Sequence, residues 1–420
     1  MFTAKYYKKG NNMKFTRSEI KRILPIARRR IGNTIVAWVQ KLFANRRLVK
    51  DVFGDKRDKR VLICYLPEAF DGRVPKSHSN FTECLAAAKA FRSLGYSVDC
   101  ASRDNDRIDY TPYSVVYGIT STAYARSFSS ISSGKEPLRI FYSVGAHTFL
   151  NFKVTAERNL AYFAEHGSRA LSSCHYVPGN GMNYYNAYLS DAVICLGDAS
   201  VAAQFEQEDP RPGRYHSLPA FYFDVRTPSQ EKDFDHCRKN LLWFGSSGLI
   251  HKGLDIAIDF ALKHPDYTLH ICGASREEKE FWKHYAPLAD NAPNIVQHGF
   301  VDIESQEFAS ILDECAILIN PSLSESGAVA VLNVLACGLL YPVYSRETGL
   351  AIAEYGSEVP TVDYASFEEA ILSAATLPAD ELLEKCRRLN SHVRKNYSLD
   401  LYEERLRTTI EKILKNKNIR

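Results

Sequence analysis

The chain lacks any long uninterrupted apolar run. No stretch of its 420 residues reaches the roughly 18 consecutive apolar residues that a membrane-spanning helix needs. The most apolar part of the N-terminal region, residues 31–44, is interrupted by Gly32, Asn33, Gln40 and Lys41 and does not have the pattern of a signal peptide. We therefore expect a cytoplasmic protein without a transmembrane segment.

Clustered cysteines are also missing. The ten cysteines are scattered and form no Cys-x-x-Cys pair. Four of them, Cys64, Cys100, Cys195 and Cys272, lie in apolar runs typical of buried strands, where a free cysteine behaves as a small hydrophobic residue. A zinc site or a disulfide framework needs closer spacing, so we expect neither.

Acidic residues are almost absent from the first 50 residues. This segment has 14 Lys or Arg and one acid, Glu19, for a net charge of +13, so the other 370 residues carry −9 of the chain's total of +4. Apolar residues recur among the basic ones at helical spacing, which favours basic amphipathic helices on an anionic membrane surface. A disordered arm or a helix docked on the body are alternatives. No nucleic-acid-binding module accompanies the basic residues, so we expect no nucleic acid.

The length of the chain predicts two α/β domains. Apolar runs typical of buried strands alternate with helical patterns, which is the pattern of a parallel sheet. We divide the chain into a basic extension (1–57), two Rossmann-like domains (58–235 and 236–395) and a C-terminal segment (396–420) whose helix crosses back to the first domain. The predicted strands are 60–66, 96–101, 114–117, 139–144 and 192–196 in the first domain, and 241–244, 268–272, 294–297, 316–319 and 340–344 in the second.

The stretch from Ile319 to Gly338 carries the strongest functional signal. A buried strand ends at Pro321, because proline cannot continue the ladder of hydrogen bonds. A loop with Glu325 and Gly327 follows and opens a helix of small residues. The first N–H groups of a helix lack internal partners and bind phosphate, while a neighbouring carboxylate can accept hydrogen bonds from sugar hydroxyls. The stretch therefore predicts a nucleotide-sugar site.

This stretch resembles the donor-site signature of the group 1 glycosyltransferases. Two further segments, 241–255 with its Lys252-Gly253 pair and 298–302 with Gly299 and Phe300, are similar to family elements and occur in family order. The resemblance implies the GT-B fold, in which two Rossmann-like domains face each other across a cleft. It also implies Lys252 as the donor-phosphate lysine and Glu325 as the acid that contacts the donor sugar.

The sequence departs from the family pattern at two places. Members of the family often have a second basic residue upstream of the lysine, where this chain has Ser246 and Ser247. The family motif also has a second acid, which binds ribose in relatives, and this chain has Asn333 at that position. We expect Asn333 to contact ribose without charge assistance. The predicted donor-binding residues are Gly245, Ser246, Ser247, Lys252, Gly273, Gly299, Phe300, Val301, Glu325, Ser326, Gly327, Ala328 and Asn333.

Three residues are candidates on the acceptor side. His147 follows a predicted strand of the first domain, and the resemblance places a histidine there near the transferring sugar; a hydrogen-bonded loop histidine is the alternative. His78 and Asn80 lie in the loop that resembles the family's first cleft loop. Asn80 is equally suited to cap the following helix, with Glu83 completing a capping box.

We expect the resembling chemistry: transfer of a sugar, with retention of configuration, from a nucleoside diphosphate sugar to a saccharide or lipid-linked saccharide. Lys252, Glu325 and His147 are the predicted catalytic residues. The triplets Asp104–Asp106 and Asp233–Asp235 are compatible with metal-bound diphosphate, but they lie in polar stretches, and we predict no metal or other cofactor. A non-catalytic GT-B scaffold in polysaccharide assembly and a sugar-nucleotide epimerase remain alternatives.

Overall fold

The computed structural model describes residues 46–72, 74–76, 78–129, 136–167, 169–171, 173–174, 181–209, 211–228 and 232–416. Residues 1–45 lie outside this range, so the amphipathic helices and the membrane contact predicted there stay predictions. Among the described residues, no helix combines the length and the apolar character needed to cross a bilayer.

The first domain is built on a seven-stranded sheet. Its order is β1-β3-β2-β4-β5-β6-β7. The pairing of β1 with β3 is antiparallel, and the other neighbours are parallel. The strands are β1 (Leu48–Val49), β2 (Arg60–Tyr65), β3 (Ser97–Ser102), β4 (Val115–Gly118), β5 (Leu138–Ser143), β6 (Ala192–Leu196) and β7 (Tyr215–Leu218).

Helices connect these strands. The connection after β2 is α1, and α3 and α4 lie between β5 and β6. The helices are α1 (Ser79–Ser93), α2 (Thr122–Arg126), α3 (Thr148–His166), α4 (Gly181–Leu189) and α5 (Ala199–Glu208), with a 3₁₀ turn at Pro67–Phe70. Helices lie in four of the connections, between β2 and β3, β4 and β5, β5 and β6, and β6 and β7. The strands β2 to β6 are almost wholly buried, since helices cover a parallel sheet on both faces.

The second domain repeats this architecture with six parallel strands in the order β10-β9-β8-β11-β12-β13. The strands are β8 (Asn240–Phe244), β9 (Thr268–Cys272), β10 (Ile295–Gly299), β11 (Ile317–Asn320), β12 (Tyr341–Ser345) and β13 (Ser357–Val359). The helices are α6 (Phe234–Cys237), α7 (Leu254–Lys263), α8 (Lys279–Ala289), α9 (Gln306–Glu314), α10 (Val329–Cys337), α11 (Tyr364–Ala375) and α12 (Ala379–Asn396), with a 3₁₀ turn at Arg346–Thr348.

The last helix, α13 (Leu399–Asn416), packs against α1 of the first domain. Its buried side chains include Tyr402, Leu406 and Ile410, which recur every four residues on one face. The hydroxyl groups of Tyr142 and Tyr402 are 3.0 Å apart inside the first domain. The helix α13 therefore lies against the first domain.

The ten strands predicted from the sequence are all present, with bounds that differ by at most two residues. The sequence prediction missed β1, β7 and β13, which are two to four residues long. Leu48 and Val49, which the prediction gave to the N-terminal extension, pair with Ala101 and Cys100 at the edge of the first sheet. Such short edge strands lack a run of apolar residues that marks them in the sequence.

Candidate active site

The loop between β8 and α7 holds Lys252 in a fixed backbone conformation. Its carbonyl oxygen accepts a hydrogen bond from Trp243 Nε1 at 3.0 Å. The next residue, Gly253, has φ +64°, and a Cβ there would lie 2.5 Å from Pro321. Glycine is therefore required at this position both by its left-handed conformation and by the close approach of the loop after β11. The Lys-Gly pair brings the two loops of the predicted donor site together.

An ion pair joins these two loops at their side chains. Lys252 Nζ donates to Glu325 Oε1 at 2.7 Å, and the Ser322 hydroxyl donates to the same oxygen at 3.0 Å. Burial by itself raises the pKa of the Glu325 carboxyl, but the charge of Lys252, with help from His251, outweighs it and lowers the pKa to about 2. About a fifth of each side chain is exposed, 20% for Lys252 and 21% for Glu325, so neither is fully enclosed.

The N-terminus of α10 follows this loop. Gly327 has φ +70°, and a Cβ on it would lie 2.6 Å from Ala220. Ala328, the residue before the helix, has φ +35° and makes no side-chain capping bond. An alanine in this region is strained by about 1 kcal/mol. The strained turn leaves the first N–H groups of α10 without a side-chain cap, which is the arrangement that accepts a phosphate.

A cavity of about 230 Å³ lies between the two domains next to this helix terminus. Its lining comes from both domains and from the segment that joins them. The lining residues are Lys76, His78, Ser79, Phe223, Phe244, Gly245, Ser246, Lys252, Gly273, Phe300, Val301, Asp302, Ile303, Val329, Ala330 and Asn333. The volume and the mixture of apolar and polar walls are suited to part of a small organic ligand.

Eight of the residues predicted from the sequence line this cavity: Gly245, Ser246, Lys252, Gly273, Phe300, Val301, Asn333 and, from the first domain, His78. Gly273 has φ +80°, and a Cβ there would lie 2.0 Å from the carbonyl oxygen of Gly245. A side chain at position 273 would push the two strand-end loops apart. The two glycines therefore allow the ends of β8 and β9 to form one continuous wall.

The other predicted donor residues are not in the lining. They are Ser247, Gly299, Glu325, Ser326, Gly327 and Ala328. Ser326 faces the first domain instead, where its hydroxyl donates to the carbonyl of Leu196 at 2.6 Å. Glu325 is paired with the lining residue Lys252, and its own N–H donates to the carbonyl of Glu347 at 2.7 Å. These contacts position the loop that leads into α10, whose first residues Val329 and Ala330 line the cavity.

His147 caps α3 and is buried. Its Nδ1 accepts from the N–H of Phe149 at 3.4 Å, and its own N–H donates to Gln204 Oε1 at 3.1 Å. Burial lowers the pKa of the imidazole, so the neutral form is favoured. His147 does not line the cavity, but Asn151, one turn further along α3, donates to the Ser324 hydroxyl at 3.0 Å. The histidine thus sits on the first-domain element that contacts the loop of Glu325.

The predicted capping box of α1 is wrong. The helix begins at Ser79, and its cap is His78, whose Nδ1 accepts from the N–H of Asn80 at 3.4 Å. Glu83 is buried and accepts a hydrogen bond from the Tyr65 hydroxyl at 2.8 Å. Because the helix starts one residue before Asn80, neither side chain is placed to cap it. Asn80 does not line the cavity.

Asn333 has a structural role in addition to its place in the lining. Its Oδ1 accepts a hydrogen bond from the N–H of Phe223 at 2.8 Å. This bond ties α10 to the segment that joins the two domains. The amide oxygen is therefore engaged in a bond within the fold.

Sequence reasoning missed several lining residues, of which Lys76, Phe244 and Asp302 are the most informative. Lys76 follows β2, and Phe244 ends β8. Phe244 is the last residue of a parallel strand, and Lys76 lies in the loop between β2 and α1; open α/β sheets bind ligands at the carboxyl ends of their strands. This rule could have identified Lys76 and Phe244 from the sequence. Among the described residues, no group of three His, Cys, Asp or Glu side chains is arranged to hold a metal ion.

Comparisons with known proteins agree with this geometry. Residues 238–376 match the family model described as "Glycosyl transferases group 1". No curated protein sequence matches the chain.

Several solved structures share its fold. Sucrose-phosphate synthase from Thermosynechococcus elongatus is 13% identical with a TM-score of 0.61, over 86% of this chain and 100% of that chain. HepE from Anabaena in complex with UDP is 10% identical with a TM-score of 0.56, over 84% of this chain and 100% of that chain. WaaG, a glycosyltransferase involved in lipopolysaccharide biosynthesis, is 13% identical with a TM-score of 0.52, over 82% of this chain and 98% of that chain.

At these identities the structural likeness shows the fold, and the family match supplies the class of activity. The predicted pair of Rossmann-like domains is confirmed. The chain therefore has the GT-B fold, and its residues 238–376 form a group 1 glycosyltransferase domain.

Proposed function

We propose that the chain transfers a sugar from a nucleoside diphosphate sugar to a hydroxyl group of a saccharide or a lipid-linked saccharide. The observation that carries the proposal is the Lys252–Glu325 ion pair beside a cavity that also borders the uncapped N-terminus of α10. A lysine and free helix N–H groups suit a diphosphate. HepE, whose fold is similar, was solved with UDP and glucose, which supports a donor of this class.

In the proposed reaction the donor diphosphate lies between Lys252 and the start of α10. Bond cleavage at the anomeric carbon places additional negative charge on the leaving diphosphate. Lys252 and the helix N–H groups stabilise this charge more strongly than they stabilise the ground state, which is how such groups accelerate a reaction. This scheme assigns no step to a metal ion.

Glu325 is proposed to orient the donor sugar. Its low pKa keeps the carboxylate ionised at neutral pH, so it accepts hydrogen bonds from sugar hydroxyl groups. The acceptor hydroxyl is proposed to attack from the side of the leaving diphosphate, which takes up its proton, so that configuration is retained. His147, held neutral by burial, is proposed to contact the transferring sugar from the first domain.

The acceptor is proposed to be presented at a membrane. The charge of +13 on residues 1–50 suits an anionic surface at the cytoplasmic face, and this supports peripheral attachment. Vesicle co-sedimentation tests it. We expect the full chain to bind vesicles containing phosphatidylglycerol at low salt and not to bind neutral vesicles; equal binding to both contradicts the electrostatic attachment.

Donor turnover is the direct test of the proposed activity. UDP-, GDP- and ADP-sugars are each incubated with the wild type, first without and then with a panel of saccharide acceptors. We expect slow hydrolysis of one donor without acceptor, faster transfer with the right acceptor, and retention of the anomeric configuration by NMR. If no nucleotide binds, the proposal fails and the non-catalytic scaffold becomes the better interpretation. Epimerised donor without an acceptor would instead identify an epimerase.

A further inference from the structure

Lys76 extends from the first domain to the rim of the donor cavity. It belongs to the loop between β2 and α1 and is one of the lining residues. Its Nζ donates to Glu304 Oε1 at 3.0 Å, and Glu304 lies in the loop of the second domain between β10 and α9. The ion pair therefore crosses the cleft, and the cation is already positioned at the cavity.

The charges around the cavity do not yet suit a diphosphate. Among the lining residues the cations are Lys76 and Lys252, and the anion is Asp302. Each lysine has a carboxylate partner just outside the lining, Glu304 and Glu325. A nucleoside diphosphate brings at least two negative charges, so one of these ion pairs must give up its cation for the phosphates to be neutralised.

The pair of Lys76 is the easier one to separate. Its side chains are 35% and 37% exposed, against 20% and 21% for Lys252 and Glu325. Glu325 also accepts from Ser322, which holds it in place. Exposed ion pairs contribute about 0–1 kcal/mol, less than a charge-assisted bond to a phosphate. Lys76 can therefore exchange Glu304 for a phosphate at little cost.

The same wall of the cavity has a second feature that favours an anion. His78 and Ser79, the cap and the first residue of α1, also line the cavity. The 15-residue helix α1 thus directs the positive end of its dipole toward the ligand. Lys76 and this helix terminus face the wall formed by Lys252 and α10.

We propose that Lys76 is the second cation of the donor site and binds the β-phosphate of the nucleoside diphosphate, leaving Glu304 when the donor enters. The loop between β8 and Lys252 has the uncharged residues Ser246 and Ser247, and the second positive charge comes from the opposite domain instead. The two domains are then held together by the phosphate. This inference rests on the proposed donor site.

Titration calorimetry with nucleotides tests the assignment. UDP, GDP and ADP are titrated into the wild type, and for the base that binds, the monophosphate with the same base is titrated as well. We expect Lys76→Met to raise the Kd of the diphosphate about 10- to 100-fold, the range of one charge-assisted bond, and to change the Kd of the monophosphate less than about threefold. Glu304→Gln removes the competing carboxylate and is expected to lower the Kd of the diphosphate.

A matched control is Lys89→Met. Lys89 donates to Glu403 at 2.7 Å. This partly exposed Lys–Glu pair is not at the cavity, so we expect the variant to bind both nucleotides like the wild type. A diphosphate Kd for Lys76→Met within about twofold of the wild type overturns the role of Lys76. If Lys252→Met weakens binding and Lys76→Met does not, the donor site stands and only this inference fails. If no nucleotide binds the wild type, the donor site and this inference both fail.

Discussion

Replacement of Lys252 by methionine tests the donor site most directly. The substitution removes one charge-assisted bond to the diphosphate, about 1.5–3 kcal/mol. It also leaves the Glu325 carboxylate, now 2.7 Å from its cation, without a partner beside a bound anion. Two like charges roughly 6 Å apart at an effective dielectric constant of 20 repel each other by about 3 kcal/mol.

These two effects act in the same direction. We therefore expect Lys252→Met to raise the Kd of the nucleoside diphosphate at least about 100-fold, which corresponds to about 2.7 kcal/mol. The second effect is removed when Glu325 becomes neutral. The double variant Lys252→Met/Glu325→Gln should then bind the diphosphate about tenfold or more tightly than Lys252→Met alone, although it has lost both predicted functional groups.

Calorimetric titration with the diphosphate, which has no sugar, is the appropriate assay. Glu325 is proposed to contact the sugar, so a sugar-free ligand isolates its electrostatic effect. The single variant Glu325→Gln should bind the diphosphate at least as tightly as the wild type. Wild-type affinity in Lys252→Met, or a double variant no better than Lys252→Met, would refute the arrangement of charges described for this site.

Three further predictions concern other parts of the cleft. Asn333→Ala leaves the buried N–H of Phe223 without its acceptor and should destabilise the fold by about 1–3 kcal/mol, which lowers the melting temperature. Asn333→Asp keeps an acceptor and should destabilise the fold less. Because burial lowers the pKa of His147 from its ordinary value of 6.5, the neutral imidazole persists below pH 6.5. A transfer rate that depends on the neutral imidazole should fall only as the pH drops through the lowered pKa. In His147→Gln this acidic limb of the pH–rate profile should be absent, and an unchanged profile contradicts the role. Arg158→Met leaves the buried Asp255 carboxylate, its ion-pair partner across the domains, without a cation. The free energy of unfolding, measured by heat or urea, should fall by about 3–5 kcal/mol. The double variant Arg158→Met/Asp255→Leu should recover most of this loss.

The regular elements were predictable because each is specified by neighbouring residues. The run Arg60–Tyr65 is buried along almost its whole length, and a parallel strand covered on both faces has such a continuous apolar pattern. The short strand Tyr215–Leu218 contains His216 and Ser217, which are not fully buried, so it has no such pattern and was missed. Local sequence was sufficient where a whole segment shares one environment.

The donor loops were predictable for a related reason. Lys252, Gly253 and Glu325 belong to short motifs in which spacing fixes a strand end, a turn and a helix start. The charge and the hydrogen-bonding groups of these residues are known from the residue type alone. The sequence alone therefore determined the two-domain α/β fold, the loops that carry Lys252 and Glu325, and the family resemblance, which the match over residues 238–376 supports.

The tertiary structure decided which groups share the cavity and which charges are already paired. Lys76 and Glu304 are 228 residues apart in the chain, and no local pattern links them. The bond from Phe223 to Asn333 and the burial of His147 likewise depend on how the two domains meet. Coulombic and hydrogen-bond energies fall steeply with distance in space and are independent of distance along the chain, so these features became visible only when the chain was folded.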